Sequence, residues 1–255
     1  MQDLKVTLVQ ANQIWEDKAA NFSNYLRLLE SINEPIDLVI FPEMFDTGFS
    51  MNVELAEDWD SNTSVKFLVD LAAKKQVAIY TSLMVKDNNH FYNRGIFVYP
   101  SGEISFYDKR KSFGLGGEDK FYTAGKTETI VNYKDWKINL QICYDLRFPE
   151  IARNQEVNGK PKYDLLIYVA NWPVKRAEHW KTLLKARAIE NQSYAIGVNR
   201  FGDDPNGLSY SGDSTCIDPL GNLKCHLENE TILTTTLSEF TLNNTRTNLP
   251  FLKDY

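Results

Sequence analysis

The chain has 255 residues, with 28 Lys and Arg against 34 Asp and Glu, and a formal net charge of −6 at pH 7. This length suits one large α/β domain or two small ones and allows a sizeable core. Because the chain is acidic and has no long basic cluster, we expect no nucleic-acid partner and a small-molecule substrate. No apolar stretch approaches the roughly 18 to 20 residues that span a bilayer, and the N-terminus lacks a signal-peptide pattern. We therefore expect a cytoplasmic protein with no membrane association.

The strand-like and helix-like segments alternate along the chain without a linker or a repeat, which predicts a single domain. Several predicted strands are continuous apolar runs, as in strands covered on both faces. The predicted strands are Lys5–Gln10, Leu38–Phe41, Val77–Leu83, Gly95–Tyr99, Ile104–Tyr107, Lys137–Ile142, Leu165–Ala170 and Ser193–Val198. The predicted helices are Lys18–Ser31, Ser64–Lys75 and Ala177–Gln192.

Residues 89–109 have the pattern of a β-hairpin. Its turn is predicted at residues 100–103, where Pro100 restricts the backbone and Gly102 permits unusual dihedral angles. The hairpin is expected to place Lys109 at the end of its second strand.

The three cysteines, Cys143, Cys216 and Cys225, show neither a CxxC motif nor a His-rich metal spacing. An odd number of cysteines without such spacing suits a reducing compartment. We expect no disulfide framework and no structural zinc site.

Three short strings contain residues suited to acyl transfer. Cys143 ends a strand-like run in QICYDLRFPE, Glu43 ends one in VIFPEMFDTGF, and Lys109 follows one in YDKRKSF. A thiol can attack a carbonyl, a carboxylate can take its proton, and a cation can stabilise the oxyanion. Taken singly, each residue has an ordinary structural explanation: a small buried side chain, a solvated turn or a surface lysine.

In this order and setting, Glu43, Lys109 and Cys143 resemble the triad of the nitrilase (carbon–nitrogen hydrolase) superfamily. The resemblance covers the whole chain and implies a single-domain four-layer α-β-β-α sandwich over residues 1–255. It implies a thioester on Cys143, with Glu43 as the base and with Lys109 and the backbone N–H of Tyr144 stabilising the oxyanion. This chemistry requires no metal and no organic cofactor.

The string GGEDKFYTAG supplies a fourth candidate. Glu118 lies seven residues before Gly125, which is similar to a family pattern in which a glutamate orients the catalytic lysine. The chain has Ala124 where the family usually has proline, and Lys111 where many members have histidine. A second ammonium at Lys111 is expected to lower the pKa of Lys109; alternatively, Lys111 points to solvent.

The resemblance also suggests a substrate class. Residues 168–200 and 210–222 look like the omega-amidase branch, which hydrolyses the terminal amide of 2-oxo acids. In this interpretation Arg147 binds the substrate carboxylate and Trp172 lines the pocket. The alternatives are an internal salt bridge from Arg147 to Asp145 or Glu150, and a purely structural role in the core for Trp172.

Other functions remain open at this point. The chain is alternatively a nitrilase, an N-carbamoyl amidohydrolase, or a catalytically silent binding protein on the same scaffold. The apolar residues Leu249, Phe251, Leu252 and Tyr255 make the tail 244–255 too apolar to lie free in water. The resemblance implies pairing through the outer helices beside Cys143, and we expect a homodimer or higher homo-oligomer with this tail laid across the partner or across the seam between subunits.

Overall fold

Two large β-sheets form the centre of the molecule, and the structure, a computed structural model, describes residues 1–254. Tyr255, the last residue of the predicted tail, lies outside the described residues. In chain order the strands are β1 (Leu4–Gln10), β2 (Leu38–Ile40), β3 (Glu57–Asp58), β4 (Ala78–Asp87), β5 (His90–Val98), β6 (Ile104–Asp108), β7 (Ile130–Tyr133), β8 (Trp136–Ile142), β9 (Glu156–Val157), β10 (Lys160–Pro161), β11 (Leu165–Ala170), β12 (Tyr194–Asn199), β13 (Phe201–Asp203), β14 (Ser209–Ser211), β15 (Thr215–Ile217), β16 (Leu223–His226) and β17 (Thr231–Leu237).

The helices occupy the connections between these strands. The α-helices are α1 (Lys18–Leu29), α2 (Thr63–Lys75), α3 (Ala177–Asn191) and α4 (Glu239–Asn248). Short 3-10 helices cover Val53–Leu55, Trp59–Ser61, Gly114–Gly116, Glu118–Lys120, Cys143–Arg147, Pro149–Ala152, Val174–Arg176 and Phe251–Asp254.

The first sheet has the strand order β17-β1-β2-β4-β5-β6, with β3 paired to β4. The β1–β2 and β2–β4 pairs are parallel, whereas β4, β5 and β6 form an antiparallel meander. The second sheet has the order β16-β15-β12-β11-β8-β7, and β11 is parallel to both β8 and β12. The strands β9–β10 and β13–β14 form two small ribbons.

The two sheets pack face to face over a shared apolar core. Alternate residues of β1 point to opposite faces, so Leu4, Val6 and Leu8 join a cluster with side chains of the second sheet, while Val9 belongs to a cluster on the other side. The Tyr80 hydroxyl donates to the carbonyl oxygen of Gln141 at 3.0 Å, and this hydrogen bond connects the sheets directly.

Outer helices cover both sheets. On the first sheet, α1 buries Tyr25 and Leu28, and α2 buries Leu68 and Leu71, against the outer face. The amphipathic spacing of these residues produces this one-sided burial. The arrangement supplies the first helical layer.

The second sheet is covered by α3, which buries Trp180, Leu184 and Ala188. A Cβ atom at Gly197 of β12 would lie 2.4 Å from the Leu184 side chain, so the absence of a side chain there allows the close approach. The four layers are helix, sheet, sheet and helix, and the predicted α-β-β-α sandwich is confirmed.

The predicted elements agree with the structure for the long strands of the first two thirds of the chain and for α1, α2 and α3. All three predicted helices are confirmed to within two residues, and the hairpin is formed by β5 and β6. The sequence did not predict the short strands β3, β9 and β10, the strand β7, the strands from β13 onward or the helix α4. Among residues 1–254, no helix is both long and apolar enough to cross a membrane.

Candidate active site

Three strand ends bring Glu43, Lys109 and Cys143 together. Glu43 lies three residues beyond β2, Lys109 directly follows β6, and Cys143 directly follows β8. The exposed fractions of these residues are 0%, 3% and 8%, respectively. Lys109 Nζ lies 2.8 Å from Glu43 Oε1. The structure thus assembles the three residues singled out in the sequence at one buried place.

Cys143 occupies an unusual backbone conformation. It begins the 3-10 helix Cys143–Arg147 with a φ of +43°, a left-handed value that non-glycine residues seldom adopt. Burial raises the pKa of the Cys143 thiol well above its usual range, and the negative charge of Glu43 adds to the increase, while Lys109 opposes it. This raised pKa favours the protonated thiol.

Asp145 holds this turn in place. Its carboxylate accepts hydrogen bonds from the amide of Ile142 at 3.0 Å, the amide of Lys111 at 3.0 Å and the hydroxyl of Tyr107 at 2.9 Å. Ile142 directly precedes Cys143, whereas Tyr107 and Lys111 lie at the end of β6 and just beyond it. Asp145 therefore couples the position of Cys143 to that of the lysine-bearing strand.

Lys109 is held between two carboxylates. Its ammonium lies 2.9 Å from both carboxylate oxygens of Glu118 in addition to its contact with Glu43. Burial alone would lower the pKa of Lys109, but the charges of Glu118 and Glu43 outweigh this effect and raise it. Lys109 therefore remains a cation at neutral pH, as oxyanion stabilisation requires.

The loop that contains Glu118 packs tightly against the lysine. The Gly125 amide donates to the carbonyl oxygen of Lys109 at 2.9 Å. A Cβ atom at Gly125 would lie 2.1 Å from the carbonyl oxygen of Asp108, so any side chain there would displace the end of β6. The predicted Glu118–Gly125 pattern is thus a loop anchored beside Lys109.

Lys111 was expected either to act as a second cation beside Lys109 or to point to solvent, and neither expectation describes its position fully. Its ammonium lies 3.7 Å from Glu150 Oε1 and 4.5 Å from the centre of the Phe148 ring. Lys111 is therefore an ion-pairing residue on a partly exposed surface and not a second cation beside Lys109. The expected lowering of the Lys109 pKa is wrong, because the neighbouring carboxylates dominate.

Asn93 and Asn171 complete the site, and neither was predicted from the sequence. Asn93 on β5 donates its side-chain amide to Glu43 at 2.8 Å and to Glu118 at 3.0 Å. Asn171, directly after β11, donates its backbone amide to Glu43 Oε2 at 2.9 Å and its side-chain amide to the Glu43 carbonyl oxygen. In the sequence, Asn93 is a polar residue within a mostly buried strand, and Asn171 is a polar residue at a strand end. These features could have identified the two residues.

A cavity of about 520 Å³, here called the central cavity, opens in front of Cys143. Arg147 lies on its wall with its guanidinium carbon 4.8 Å from the centre of the Trp172 ring. No ion pair joins Arg147 to Asp145 or Glu150 in the described part of the chain, because Asp145 accepts the three hydrogen bonds above and Glu150 pairs with Lys111. The salt-bridge alternative is therefore wrong.

Trp172 fulfils both of the roles considered for it. It lines the central cavity, and its ring also packs against Trp180 with 5.5 Å between ring centres. Tyr144 packs edge-on against Phe113 and Phe148. Its amide lies in the first turn of the 3-10 helix, where backbone N–H groups lack partners within the helix.

Over residues 1–254 no group of three or more His, Cys, Asp and Glu side chains is placed to hold a metal ion. The arrangement comprises a buried thiol, a buried ammonium and two buried carboxylates beside a partly apolar cavity. This set is suited to nucleophilic attack by sulfur on a small carbonyl compound.

Comparisons with known proteins agree with this geometry. The sequence profile of the carbon-nitrogen hydrolase family matches residues 5–247. The omega-amidase YafV of Yersinia enterocolitica is 44% identical over 229 residues, covering 89% of this chain and 86% of the relative. The 2-oxoglutaramate amidase of Bacillus subtilis strain 168 is 33% identical over 198 residues, covering 76% of this chain and 75% of the relative.

Among solved structures, the crystal structure of XC1258 from Xanthomonas campestris superposes with a TM-score of 0.97 at 42% sequence identity. The match covers 100% of this chain and 98% of that one. XC1258 is described as a CN-hydrolase superfamily protein with an arsenic adduct in the active site. The profile match includes every residue of the site described above.

Proposed function

Because this chain belongs to the carbon–nitrogen hydrolase family, and is an enzyme acting on amides, we propose that it hydrolyses the terminal amide of a small 2-oxo acid to the acid and ammonia. The substrates in view are 2-oxoglutaramate and 2-oxosuccinamate. The observation that carries the proposal is that Cys143 opens to the central cavity with Arg147 on the same wall. The names of the relatives from Yersinia enterocolitica and Bacillus subtilis support this substrate class.

The first half of the reaction is acylation of Cys143. Its sulfur attacks the amide carbon while the thiol proton passes to Glu43. The carbonyl oxygen becomes an oxyanion, which the Lys109 ammonium and the Tyr144 amide stabilise. When the tetrahedral intermediate collapses, the C–N bond breaks, Glu43 returns the proton to the nitrogen, and ammonia leaves a thioester on Cys143.

The second half is hydrolysis of the thioester. Glu43 takes a proton from water, and the hydroxyl oxygen attacks the thioester carbon. The C–S bond then breaks, and the sulfur recovers a proton from Glu43. Glu118 and Asn93 act as positioning residues in both halves, since Glu118 holds the Lys109 ammonium and Asn93 holds the Glu43 carboxylate.

An assay of ammonia release tests this function. The purified enzyme is given 2-oxoglutaramate, glutamine, a nitrile and an N-carbamoyl amino acid of similar length. We expect the highest kcat/KM for 2-oxoglutaramate. Faster turnover of the nitrile or of the carbamoyl compound would replace the proposal with one of the alternative hydrolase activities, and no turnover of any compound would favour the binding-protein alternative.

We also propose a cytoplasmic homodimer. Phe240 and Phe251 near the C-terminus are 73% and 56% exposed, and large exposed apolar side chains favour contact with a partner. Part of the tail is bound to its own chain, because Leu252 is buried and Arg246 forms an ion pair with Asp164 at 2.6 Å. A reducing compartment suits this proposal, because the attack on the amide needs the reduced thiol of Cys143.

A further inference from the structure

The rim of the central cavity is a closed circuit of contacts between two arginines and three aromatic residues. The Arg176 guanidinium carbon lies 5.4 Å from the centre of the Phe113 ring, and Phe113 packs edge-on against Tyr144 at 5.0 Å. Arg147 lies 5.9 Å from the Tyr144 ring and 4.8 Å from the Trp172 ring. The Trp172 indole N–H donates to the Arg176 carbonyl oxygen at 2.8 Å and closes the circuit.

Neither guanidinium on this rim has a carboxylate partner among residues 1–254. Arg147 has one hydrogen bond, to His179 Nδ1 at 3.1 Å, and because a guanidinium only donates, the imidazole nitrogen accepts. Arg176 forms no side-chain hydrogen bond or ion pair with any described residue. It is also the residue that precedes the first turn of α3, a helix end with no capping side chain. The rim therefore has unused donors and a positive potential.

The two carboxylates that line the same cavity are already engaged. Glu16 accepts hydrogen bonds from Ser50 and Asn52. Asp204 accepts them from the Tyr210 hydroxyl at 2.8 Å and from two backbone amides. Because protein groups already donate hydrogen bonds to these two carboxylates, the carboxylates are less available to a charged ligand than the arginines are. The cavity is therefore suited to bind an anion.

We propose that Arg147 and Arg176 form a two-arginine subsite, in which Arg176 selects a 2-oxo acid over the corresponding 2-amino acid. This inference rests on the proposed function. A 2-oxo acid presents two carboxylate oxygens and an adjacent keto oxygen, all of them acceptors, and two guanidiniums can share these three atoms. A 2-amino acid presents an ammonium at the same carbon. That group has no lone pair to offer and is repelled by both cations.

The test uses three amides that differ only at carbon 2. They are 2-oxoglutaramate, glutaramate and glutamine, with pentanamide as a neutral control. In the Arg176→Ala variant, we expect kcat/KM for 2-oxoglutaramate to fall roughly 10- to 100-fold, mainly through KM, because a hydrogen bond to a charged group is lost. The values for pentanamide and glutamine should change little. The Arg176→Lys variant should lie between wild type and Arg176→Ala, because it keeps the charge and loses the planar fork.

Lys175→Ala is the matched control, since Lys175 is exposed, adjacent in sequence and outside the cavity lining. It should leave all four kcat/KM values unchanged. Equal losses for all four amides in Arg176→Ala would show that Arg176 only supports Trp172, and an unchanged ratio of 2-oxoglutaramate to glutamine would also overturn the inference.

A binding measurement separates this inference from the proposed function. The Cys143→Ala variant, which cannot react, is titrated calorimetrically with 2-oxoglutarate and with glutamate. We expect 2-oxoglutarate to bind more tightly, and this preference should shrink roughly 10-fold or more when Arg176→Ala is added, with the remainder due to Arg147. A preference that the added substitution leaves unchanged contradicts the subsite, whereas wild-type enzyme that binds 2-oxoglutarate through Arg176 but releases no ammonia from its amide contradicts only the proposed function.

Discussion

At the scale of single residues, burial favours the neutral thiol of Cys143, which lies beside the buried ion pairs of Lys109 with Glu43 and Glu118. The Cys143 thiol has a raised pKa, while the ion-paired Lys109 has its pKa raised as well. This raised thiol pKa fits the proposed mechanism, in which a nearby base generates the nucleophile. Glu43 is the carboxylate placed to do so, because Asn93, Asn171 and Lys109 fix both of its oxygens.

Substitution of the nucleophile gives the first prediction. Cys143→Ser and Cys143→Ala should lower turnover by at least about 10³-fold, since no other group replaces the sulfur, and both variants should stay folded. Mass spectrometry of wild-type enzyme quenched during turnover should show an acyl adduct on the peptide that contains Cys143. An adduct on Cys216 or Cys225 would assign the nucleophile elsewhere.

The second prediction concerns Asp145. Burial raises the pKa of this carboxyl to about 6, although its hydrogen bonds oppose the rise. An unfolded Asp titrates near pH 3.9, so the folded chain holds the proton more tightly. The resulting stabilisation is present below about pH 4 and is lost as the pH rises through 6.

Comparison with Asp145→Asn isolates this titration, because the amide does not ionise. The free energy of unfolding of wild type, measured with urea and taken relative to Asp145→Asn, should fall between pH 4 and pH 7. At about 1.4 kcal/mol per pH unit, the fall should amount to at most about 3 kcal/mol. A difference that stays constant across this range would show that Asp145 has an ordinary pKa.

At the scale of elements, the β5–β6 hairpin positions the lysine. Asn93 on β5 and Lys109 after β6 face each other, and the Lys109 amide donates to the Asn93 carbonyl oxygen at 3.0 Å. The same strand thus fixes the lysine through its backbone and the two glutamates through the Asn93 side chain. The hairpin is an active-site support as well as part of the sheet.

The third prediction tests this support. Asn93→Ala removes two hydrogen bonds to carboxylates and should lower kcat roughly 10- to 100-fold with a smaller change in KM, because Asn93 does not reach the cavity. Asn93→Asp should be more damaging than Asn93→Ala despite its similar shape, because it adds a third negative charge beside Glu43 and Glu118.

Asn132→Ala on β7 is the control for both variants, since this asparagine is exposed and forms no side-chain hydrogen bond among the described residues. It should retain wild-type kcat and KM. If Asn93→Asp were as active as wild type, the side-chain amide would have no role in holding the carboxylates.

The elements and the residues differ in how far the sequence predicts them. The apolar strands β1, β8 and β11 and the amphipathic helices were identifiable because their burial imposes a regular pattern. The strand β17 was missed because its Thr-rich sequence, TILTTTL, is stabilised by pairing along all seven residues with β1, at the opposite end of the chain. Tertiary pairing of this kind leaves little local signal.

The residues of the site likewise divide into those that the sequence predicts and those that it does not. Glu43, Lys109, Glu118 and Cys143 were located through strings that resemble a known family. Asn171 was not, because its link to Glu43 joins residues 128 positions apart, and a single strand end does not show which other strand end lies beside it. The contact of Arg176 with Phe113 was likewise not predictable, because it joins two loops that are distant in the sequence.

At the scale of the whole molecule, the C-terminal segment lies at the end of the second sheet opposite to the site. Arg246 contacts Asp164 immediately before β11, and Gln192 donates to the Leu249 carbonyl oxygen just before β12. The cavity, by contrast, lies beyond the other ends of β8 and β11. Any effect of assembly on activity must therefore pass through the sheet and α3.

The fourth prediction concerns assembly. We expect a dimer in size-exclusion chromatography with light scattering, and we expect Phe240→Asp with Phe251→Asp to shift it to the monomer mass and to lower activity. Point substitutions are preferable to deletion of residues 244–255, because deletion also removes Arg246 and the buried Leu252 from their own subunit. A wild-type monomer, or a doubly substituted dimer with full activity, would contradict the proposed interface.

In the described part of the chain, Cys143 is the one member of the proposed catalytic set that lines the central cavity, while Glu43, Lys109 and Glu118 lie behind it. The buried residues of the site and the walls that admit the substrate are therefore largely separate sets of residues, although Cys143 and Asn171 belong to both. Natural variation in the wall can change the accepted amide without disturbing the buried charges. Related enzymes can in this way keep the same reaction while they accept different amide substrates.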